Sequence, residues 1–320
     1  MLDIISIGSA TEDVFIHVPD KFSKNKSCTF IPGTKVEIED MSHFTGGGAT
    51  NTCVAFSRLG LNTGILCAVG DDESASRIIN ELKSEKINTS NIIKLKKKIT
   101  SYSAILTGFG RDRVILFYNK AASLAHAKVD LKKVNAKWLY ISSLHAKTSL
   151  LKEISTHAKK INAKIAFNPG QKELSLGIIG LQKIFGKLDI LLVNKEEALK
   201  LTGSADVHRN LKKLLQLAEY VAITDGDNGA YATDGEYSYF TSTFNIKRLD
   251  VTGAGDAFGS GFTSAIIKGK SVEQALLYGT ANANSVIRKL GTKNILLNKN
   301  QINQFIKKYA KKNAIIKQKF

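Results

Sequence analysis

The sequence is poor in cysteine and proline, with three of each in 320 residues. Cys28, Cys53 and Cys67 form no CxxC pair and have no histidine at metal-ligand spacing, which argues against a disulfide framework and a structural zinc site. No apolar run approaches the roughly 20 residues that cross a bilayer, and the N-terminus lacks the basic region of a secretory signal. We therefore expect a cytoplasmic protein with reduced thiols and no membrane partner.

Acidic residues are scarce relative to basic ones, 28 against 46, so the net charge is +18. Most of the basic residues are lysines, and they are spread along the chain. Surfaces that bind nucleic acid usually gather their basic residues on one face and use arginine for bidentate contacts. The charge therefore predicts a solvated, lysine-rich surface that attracts anionic substrates, and no nucleic-acid partner.

The most informative stretch is Asp250–Phe258, in which Gly253 and Gly255 precede an apolar, helix-like run. Glycine lets a backbone approach a ligand closely, and the free N–H groups at a helix start attract negative charge. The stretch therefore predicts an anion site. Because an anion repels the carboxylate of Asp256, we interpret this residue as a base that acts on a group beside the anion. The alternative is a common glycine-rich turn with an aspartate N-cap.

Most of the chain alternates between apolar strand-like runs and helix-like runs, as in Trp138–Ser142 followed by Leu150–Lys160. Repeated β-α units form a parallel sheet that helices cover on both faces. Ligands of such sheets bind beyond the carboxyl ends of the strands, where Asn168, Asn194 and Thr224 follow predicted strands. The sequence therefore predicts an α/β core with one shared site.

Two stretches lack the helices of this pattern. Partial alternation predicts strands at Asp13–Val18 and Gly33–Glu39, and two further β-like runs flank a hairpin signal at Gly108–Arg113. We expect these β-only stretches to form a small lid. The expected division is a lid of residues 12–36 and 99–120 on a core of residues 1–11, 37–98 and 121–320.

Five motifs in this order make the chain resemble the PfkB-type carbohydrate kinases of the ribokinase superfamily: Thr45–Asn51, Gly70–Asp72, Asn194–Glu197, Thr224–Gly229 and Asp250–Asp256. Because the motifs are ordered and widely spaced, the resemblance covers essentially the whole chain and is far more specific than a single glycine pattern. It implies a ribokinase-like three-layer α/β/α core with a mostly parallel sheet and a small β lid. It also implies ATP-dependent transfer of a phosphoryl group to a hydroxyl of a sugar or sugar-like substrate.

The resemblance gives the glycine-rich stretch a role in this reaction. Asp256 matches the family's catalytic base, and Gly253, Ala254 and Gly255 match the backbone hole that holds the transferring phosphate. Phosphoryl transfer needs mainly positioning and charge stabilisation, so one base and an anion hole form a sufficient minimal set.

The resemblance also implies metal sites. Asn194 and Glu197 match the family's N-x-x-E element, which holds Mg²⁺ largely through water. The alternative is that Asn194 caps a helix and Glu197 complements its dipole, which is compatible with the metal role. Asp250 and Thr252 match residues whose backbone holds a monovalent cation such as K⁺ in some relatives, and the sequence leaves that role open.

For the nucleotide, the resemblance places Thr224, Gly226 and Gly229 under the phosphates and ribose of ATP, and Asn282 in the adenine pocket. The alternatives are a hairpin turn for the glycine loop, since Asp-Gly and Asn-Gly are common hairpin dipeptides, and tight helix packing around Asn282.

For the acceptor, the resemblance assigns Asp13, Gly47, Gly48 and Asn51 to the sugar hydroxyls, and Asn168 follows a strand end from which it could approach them. A carboxylate and amides suit a polyol, which needs donors and acceptors in fixed places. The alternatives are a turn residue for Asp13 and a helix N-cap for Asn51. Gly48 stands where ribokinases themselves tend to carry a lysine, which puts ribose in doubt.

Two other functions stay open. A nucleoside kinase of the same superfamily would admit a base as well as ribose under the lid, and a catalytically silent member would act as a binding protein. The intact Asp256, Asn194 and Glu197 argue against the silent member. Arg111 or Arg113 of the hairpin could bind a phosphate already on the substrate. The lid often serves as a dimer surface in this family, so we also expect a homodimer through it.

Overall fold

The structure, a computed structural model, describes residues 1–24, 27–109, 112–118, 121–145, 147–310 and 315–320. The strands are β1 (Leu2–Ile7), β2 (Thr11–His17), β3 (Ser23–Lys24), β4 (Ser27–Cys28), β5 (Asp40–Gly46), β6 (Thr63–Val69), β7 (Asn88–Lys94), β8 (Ser101–Phe109), β9 (Asp112–Phe117), β10 (Ala136–Ile141), β11 (Lys164–Phe167), β12 (Leu188–Asn194), β13 (Ala218–Thr224), β14 (Ala230–Thr233), β15 (Tyr237–Thr241) and β16 (Ile316–Lys319). The helices are α1 (Gly48–Arg58), α2 (Glu73–Ser84), α3 (Thr148–Lys160), α4 (Gln171–Leu174), α5 (Gly177–Phe185), α6 (Lys195–Thr202), α7 (Val207–Leu214), α8 (Ala254–Ile267), α9 (Val272–Val286) and α10 (Gln301–Tyr309).

Ten strands form one sheet in the order β16-β15-β14-β13-β12-β11-β10-β1-β6-β7. The seven strands from β13 to β7 run parallel, and β14, β15 and β16 extend one edge in antiparallel fashion. Parallel strands are covered on both faces, and β6 is accordingly buried along its whole length. The predicted mostly parallel sheet is confirmed.

Two layers of helices cover this sheet, as the alternation of side chains within a strand requires. In β12, Leu191 and Val193 pack with residues of α3, α5, α6 and α7. Their neighbours Ile190 and Leu192 point to the other face and pack with residues of α1, α8, α9 and α10. The predicted three-layer α/β/α core is therefore confirmed. No helix among the described ranges is long and apolar enough to cross a membrane.

A second sheet of four strands, in the order β5-β2-β8-β9, forms the predicted small β structure beside the core. Phe15 of β2 packs edge to face against Phe44 of β5, with ring centroids 5.5 Å apart. The prediction of a strand at Gly33–Glu39 was wrong, because the strand that pairs with β2 lies at Asp40–Gly46. The small sheet thus includes residues 40–46, which the expected division assigns to the core because it ends the first part of the lid at residue 36. The division into core and lid stays a prediction.

Two strands of the large sheet show no apolar or alternating pattern that would predict a strand. β7 is mainly polar, and β16 is a short exposed strand held by backbone pairing with β15. Both lie at the edges of the sheet, where one side of the strand faces no neighbour and burial imposes little apolar pattern.

Candidate active site

The glycine-rich stretch lies at the start of α8. Gly253 is the residue before the first turn and has a φ of +79°, a left-handed conformation that side chains disfavour. A Cβ atom there would also lie 2.8 Å from Cβ of Thr292. The first turn of a helix leaves backbone N–H groups without partners in the helix. Since Ala254 and Gly255 both line a cavity, the structure places the predicted anion hole at an open position.

Asp256 lies in this first turn, and the residue as a whole is partly buried. The Nδ2 atom of Asn51 donates a hydrogen bond of 2.8 Å to its Oδ2 atom. The pKa of Asp256 is raised from 3.8 to about 6, mainly by burial; the hydrogen bond from Asn51 opposes this rise, and the nearby charge of Asp13 contributes to it. A base works best when its pKa lies near the operating pH. Asp256 is therefore suited to accept a proton near neutral pH.

The predicted acceptor residues lie together around Asp256. A Cβ atom on Gly48 would lie 3.8 Å from Asp256 Oδ1 and only 2.7 Å from Ser142 Oγ, so the backbone at Gly48 packs too closely on Ser142 to admit a side chain. Gly47 has a φ of +98° and packs on the backbone of Ser9.

Asp13 lies on the lid strand β2, close enough to Asp256 for its charge to act on that carboxyl group. It is buried and accepts a hydrogen bond of 3.1 Å from Thr11, and burial raises its pKa. It also packs against Gly46, since a Cβ atom built there would overlap the Asp13 carboxylate. The buried carboxylate is a suitable acceptor for the hydroxyl of a neutral ligand.

A second cavity, of about 120 Å³, lies on the other side of Gly255 and is lined by Asn168, Asn194, Glu197 and Thr224 among others. Asn194 Oδ1 accepts from the Glu197 N–H, and Glu197 Oε2 accepts from the Asn194 N–H, both at 2.8 Å. The helix-cap alternative is thus realised in this structure. Burial raises the pKa of the Glu197 carboxyl group.

No cluster of three or more acidic, histidine or cysteine side chains among the described residues could hold a metal ion. A metal held by Glu197 and Asn194 must therefore take its other oxygen ligands from water and phosphate, as Mg²⁺ usually does. Asn168 lies with these two residues, and its amide donates to the Leu192 carbonyl at 2.9 Å. Its predicted contact with the acceptor stays a prediction.

The largest apolar wall near the anion hole belongs to a cavity of about 150 Å³ that contains three predicted nucleotide residues, Thr224, Gly226 and Gly229. The wall is formed by the apolar residues Val251, Ala254, Phe258, Ala283 and Ile287. An apolar slot beside an anion hole fits a flat base joined to phosphates. An ion pair between Arg248 and Asp227 lies at its edge and was missed in the sequence.

Asn282 does not line this cavity, and its role in the adenine pocket stays a prediction. The side chain is fully buried, and its amide donates to the Ala257 carbonyl at 2.9 Å and accepts from the Leu297 N–H at 3.1 Å. Thr280 and Asn284 on the same helix line the cavity. Residues two apart on a helix point in roughly opposite directions, so Asn282 faces away from the cavity that these two residues line.

The lid contacts the glycine-rich stretch through Arg113 of β9, whose Nη1 lies 3.7 Å from Asp250 Oδ1. The Thr252 N–H and hydroxyl also donate to this oxygen, at 3.0 and 2.7 Å. The other carboxylate oxygen, Oδ2, is buried without a hydrogen-bond partner in the part of the chain that the structure describes. Arg111, the other arginine of the hairpin, lies outside the described residues.

These features define a class of protein. The three-layer core carries a glycine-rich helix start beyond the strand ends of its sheet, and an acidic residue follows the glycine that lines both cavities, which is the arrangement of a phosphate-binding α/β protein. The chain belongs to the pfkB family of carbohydrate kinases, whose model matches residues 1–299.

Relatives and solved structures agree with this family. The chain is 26% identical over 300 residues to a nucleoside kinase of Methanothermobacter thermautotrophicus, with 91% of each chain covered. It is 28% identical over 334 residues to a 5-dehydro-2-deoxygluconokinase of Clostridium tetani, covering 96% of this chain and 93% of that one. A putative ribokinase II of E. coli, solved with ATP and Mg²⁺, superimposes with a TM-score of 0.81 at 21% identity, over 96% of this chain and 100% of that one. The predicted ribokinase-like fold is confirmed.

Proposed function

We propose that the protein is an ATP-dependent kinase that phosphorylates a hydroxyl group of a sugar or sugar-like substrate, with Asp256 as the base. The observation that carries this proposal is the position of Asp256 in the first turn of α8, directly after Gly255, which lines both cavities. The Asp256 carboxylate also accepts a hydrogen bond from Asn51, one of the predicted acceptor residues. One carboxylate can therefore act on a hydroxyl that lies next to a bound phosphate.

In the proposed reaction, Asp256 takes the proton of the acceptor hydroxyl as its oxygen forms a bond to the γ-phosphorus of ATP. The bond between that phosphorus and the β-phosphate oxygen breaks, and ADP leaves. The backbone N–H groups at Gly253, Ala254 and Gly255 stabilise the charge of the transferring group. Mg²⁺, when bound, neutralises charge on the phosphates. We propose Asn194 and Glu197 as the residues that hold it, mainly through water.

We propose that Asp13, Gly47, Gly48 and Asn51 bind the acceptor. The buried carboxylate of Asp13 favours a neutral polyol over a substrate with a negative charge at this point. Nucleosides are the second class of acceptor, because a nucleoside kinase is among the relatives.

We also propose a monovalent cation such as K⁺ beside Asp250 and Thr252. The support is the buried, unpartnered Oδ2 atom of Asp250, an oxygen with a negative charge and no donor among the described side chains. The positive guanidinium of Arg113 lies near the other oxygen of this carboxylate, so the cation would share Asp250 with the lid.

We also propose that the protein forms a homodimer through the lid. Its strand β9 is an edge of the small sheet and exposes apolar side chains, namely those of Val114, Ile115, Leu116, Phe117 and Tyr118. An exposed apolar edge strand is a template for a second copy of the same strand, and such patches usually mark an interface.

The test is an ATP-consumption assay with hexoses, pentoses, nucleosides and sugar phosphates as acceptors, with and without K⁺. We expect turnover with at least one neutral acceptor, and a loss of at least about 100-fold in kcat for Asp256→Asn. Asp130→Asn is the matched control, because Asp130 caps a short turn on the approach to β10, at the opposite end of the strands. If no acceptor gives turnover, or if Asp256→Asn retains it, the proposed function is wrong.

A further inference from the structure

Thr292 lies in the loop between α9 and α10 and is almost completely buried. Its hydroxyl donates a hydrogen bond of 2.7 Å to the Oδ1 atom of Asn51. The other end of the same amide, Nδ2, donates the bond of 2.8 Å to Asp256. Three side chains from α1, α8 and a distant loop thus form one line of hydrogen bonds that ends at the proposed base.

The two hydrogen-bond partners of the Asn51 amide, Asp256 and Thr292, determine which way its oxygen and nitrogen point. An ionised carboxylate accepts hydrogen bonds and donates none, so Asp256 requires the NH₂ end of the amide. The amide oxygen then points away into a buried region, where the hydroxyl of Thr292 is its donor. Without that hydroxyl, a buried amide oxygen would lack a partner, and a buried acceptor without a partner favours rotation toward other groups.

We propose that Thr292 is a positioning residue for the catalytic base. By holding the amide of Asn51, it keeps a donor on Asp256, which orients the carboxylate and stabilises its ionised form. This inference rests on the proposed role of Asp256 as the base, and it adds a residue that acts on the base through Asn51.

The loop that carries Thr292 is fixed on both sides. Gly291 packs so closely on Phe44 of the lid strand β5 that a Cβ atom there would lie 3.0 Å from the ring. On the other side, the ammonium group of buried Lys293 lies 3.1 Å from the carboxylate of Glu81 in α2. Because neither anchor uses the hydroxyl of Thr292, a substitution that removes only this hydroxyl leaves the loop in place.

Several charged groups act on the base besides the amide. The charge of Asp13 from β2 contributes to the raised pKa of Asp256. Burial raises the pKa of Asp13 itself, and the charge of Lys293 opposes that rise. The phenol of Tyr140 from β10 lies near Asp256, whose charge contributes to the raised pKa of this tyrosine. Glu197 lines the adjacent cavity. All four groups stay unchanged when the Thr292 hydroxyl is removed, so a change in the titration of Asp256 would report on the amide.

The test compares Thr292→Val, which keeps the shape and removes the hydroxyl, with Thr292→Ser, which keeps the hydroxyl. A lost donor raises the pKa of Asp256, so the acid limb of the kcat/KM profile should move up by about half to one pH unit in Thr292→Val. Activity near pH 5.5 should then fall about three- to tenfold, with less than about a twofold change near pH 8.5. Thr292→Ser should keep the wild-type profile.

Thr63→Val is the control for loss of a buried threonine hydroxyl, because Thr63 donates to the Leu61 carbonyl at the start of β6, at the amino end of that strand. It should leave the profile unchanged. In an Asn51→Ala background, the Thr292→Val change should cause no further shift, since the two residues act in series. An equal loss of activity at every pH, or a shift that persists without Asn51, overturns the inference. If the wild-type protein shows no Asp256-dependent turnover, the proposed function fails first.

Discussion

The ionised carboxylate of Asp256 should lower the free energy of unfolding at neutral pH, and Asp256→Asn should remove this destabilisation. Burial raises the pKa of this carboxyl group from 3.8 to about 6. In the unfolded chain the group ionises at its usual pKa, so between the two values the folded state holds a proton that the unfolded state has lost. Stability therefore falls as the pH rises from about 4 to about 6, and the full penalty remains above that range.

The size of the penalty follows from the shift of about two pKa units. At about 1.4 kcal/mol for each unit, the upper limit is about 3 kcal/mol. Because Asp256 as a whole residue is only partly buried, we expect Asp256→Asn to gain about 1 to 3 kcal/mol in unfolding free energy at pH 8. The gain should vanish below about pH 4, where the carboxyl group is neutral in both states. The same variant should lose its activity.

Urea unfolding at several pH values measures this difference, with the fluorescence of the single tryptophan, buried Trp138 in β10, as the signal. Asp3→Asn is a control of opposite sign. The backbone N–H of Asn62 lowers the pKa of Asp3, so this carboxylate stabilises the fold above pH 4 and its removal should destabilise it. If Asp256→Asn is no more stable than the wild type at pH 8, the carboxylate is not held in an unfavourable environment and our account of its pKa is wrong.

Two further predictions concern other residues. Asn282→Ala should lower the unfolding free energy by about 1 to 3 kcal/mol, because it leaves the buried Leu297 N–H without its side-chain acceptor and removes one of the two side-chain donors to the Ala257 carbonyl. The KM for ATP should change less than about twofold, and a large rise in KM with unchanged stability would support a nucleotide role. Phe117→Lys should convert a dimer into a monomer in light scattering after size exclusion, and a monomeric wild-type protein would refute the lid interface.

The sequence predicted those parts of the site that depend on local backbone geometry. Gly253 has to adopt a left-handed conformation, and Asn194 with Glu197 forms a reciprocal helix cap, so each is specified by residues within a few positions. The parallel sheet was equally predictable, because buried strands are continuous apolar runs. The lid strand was displaced from Gly33–Glu39 to Asp40–Gly46 because alternation is a weak signal in an exposed strand, and the true strand has only partial burial.

The contacts that adjust the base could not be predicted in this way, because they join residues that are distant in sequence. Asn51 lies 205 positions from Asp256 and 241 from Thr292, and no local pattern requires a hydroxyl at position 292. Whether Asn282 or its neighbours Thr280 and Asn284 face the cavity depends on the rotation of α9 about its own axis, and packing against α8 determines that rotation. A helix of small residues permits several rotations by sequence alone, and only the three-dimensional contacts select one. The family is thus specified by short motifs, whereas the pKa and orientation of Asp256, the proposed base, depend on how separate elements pack.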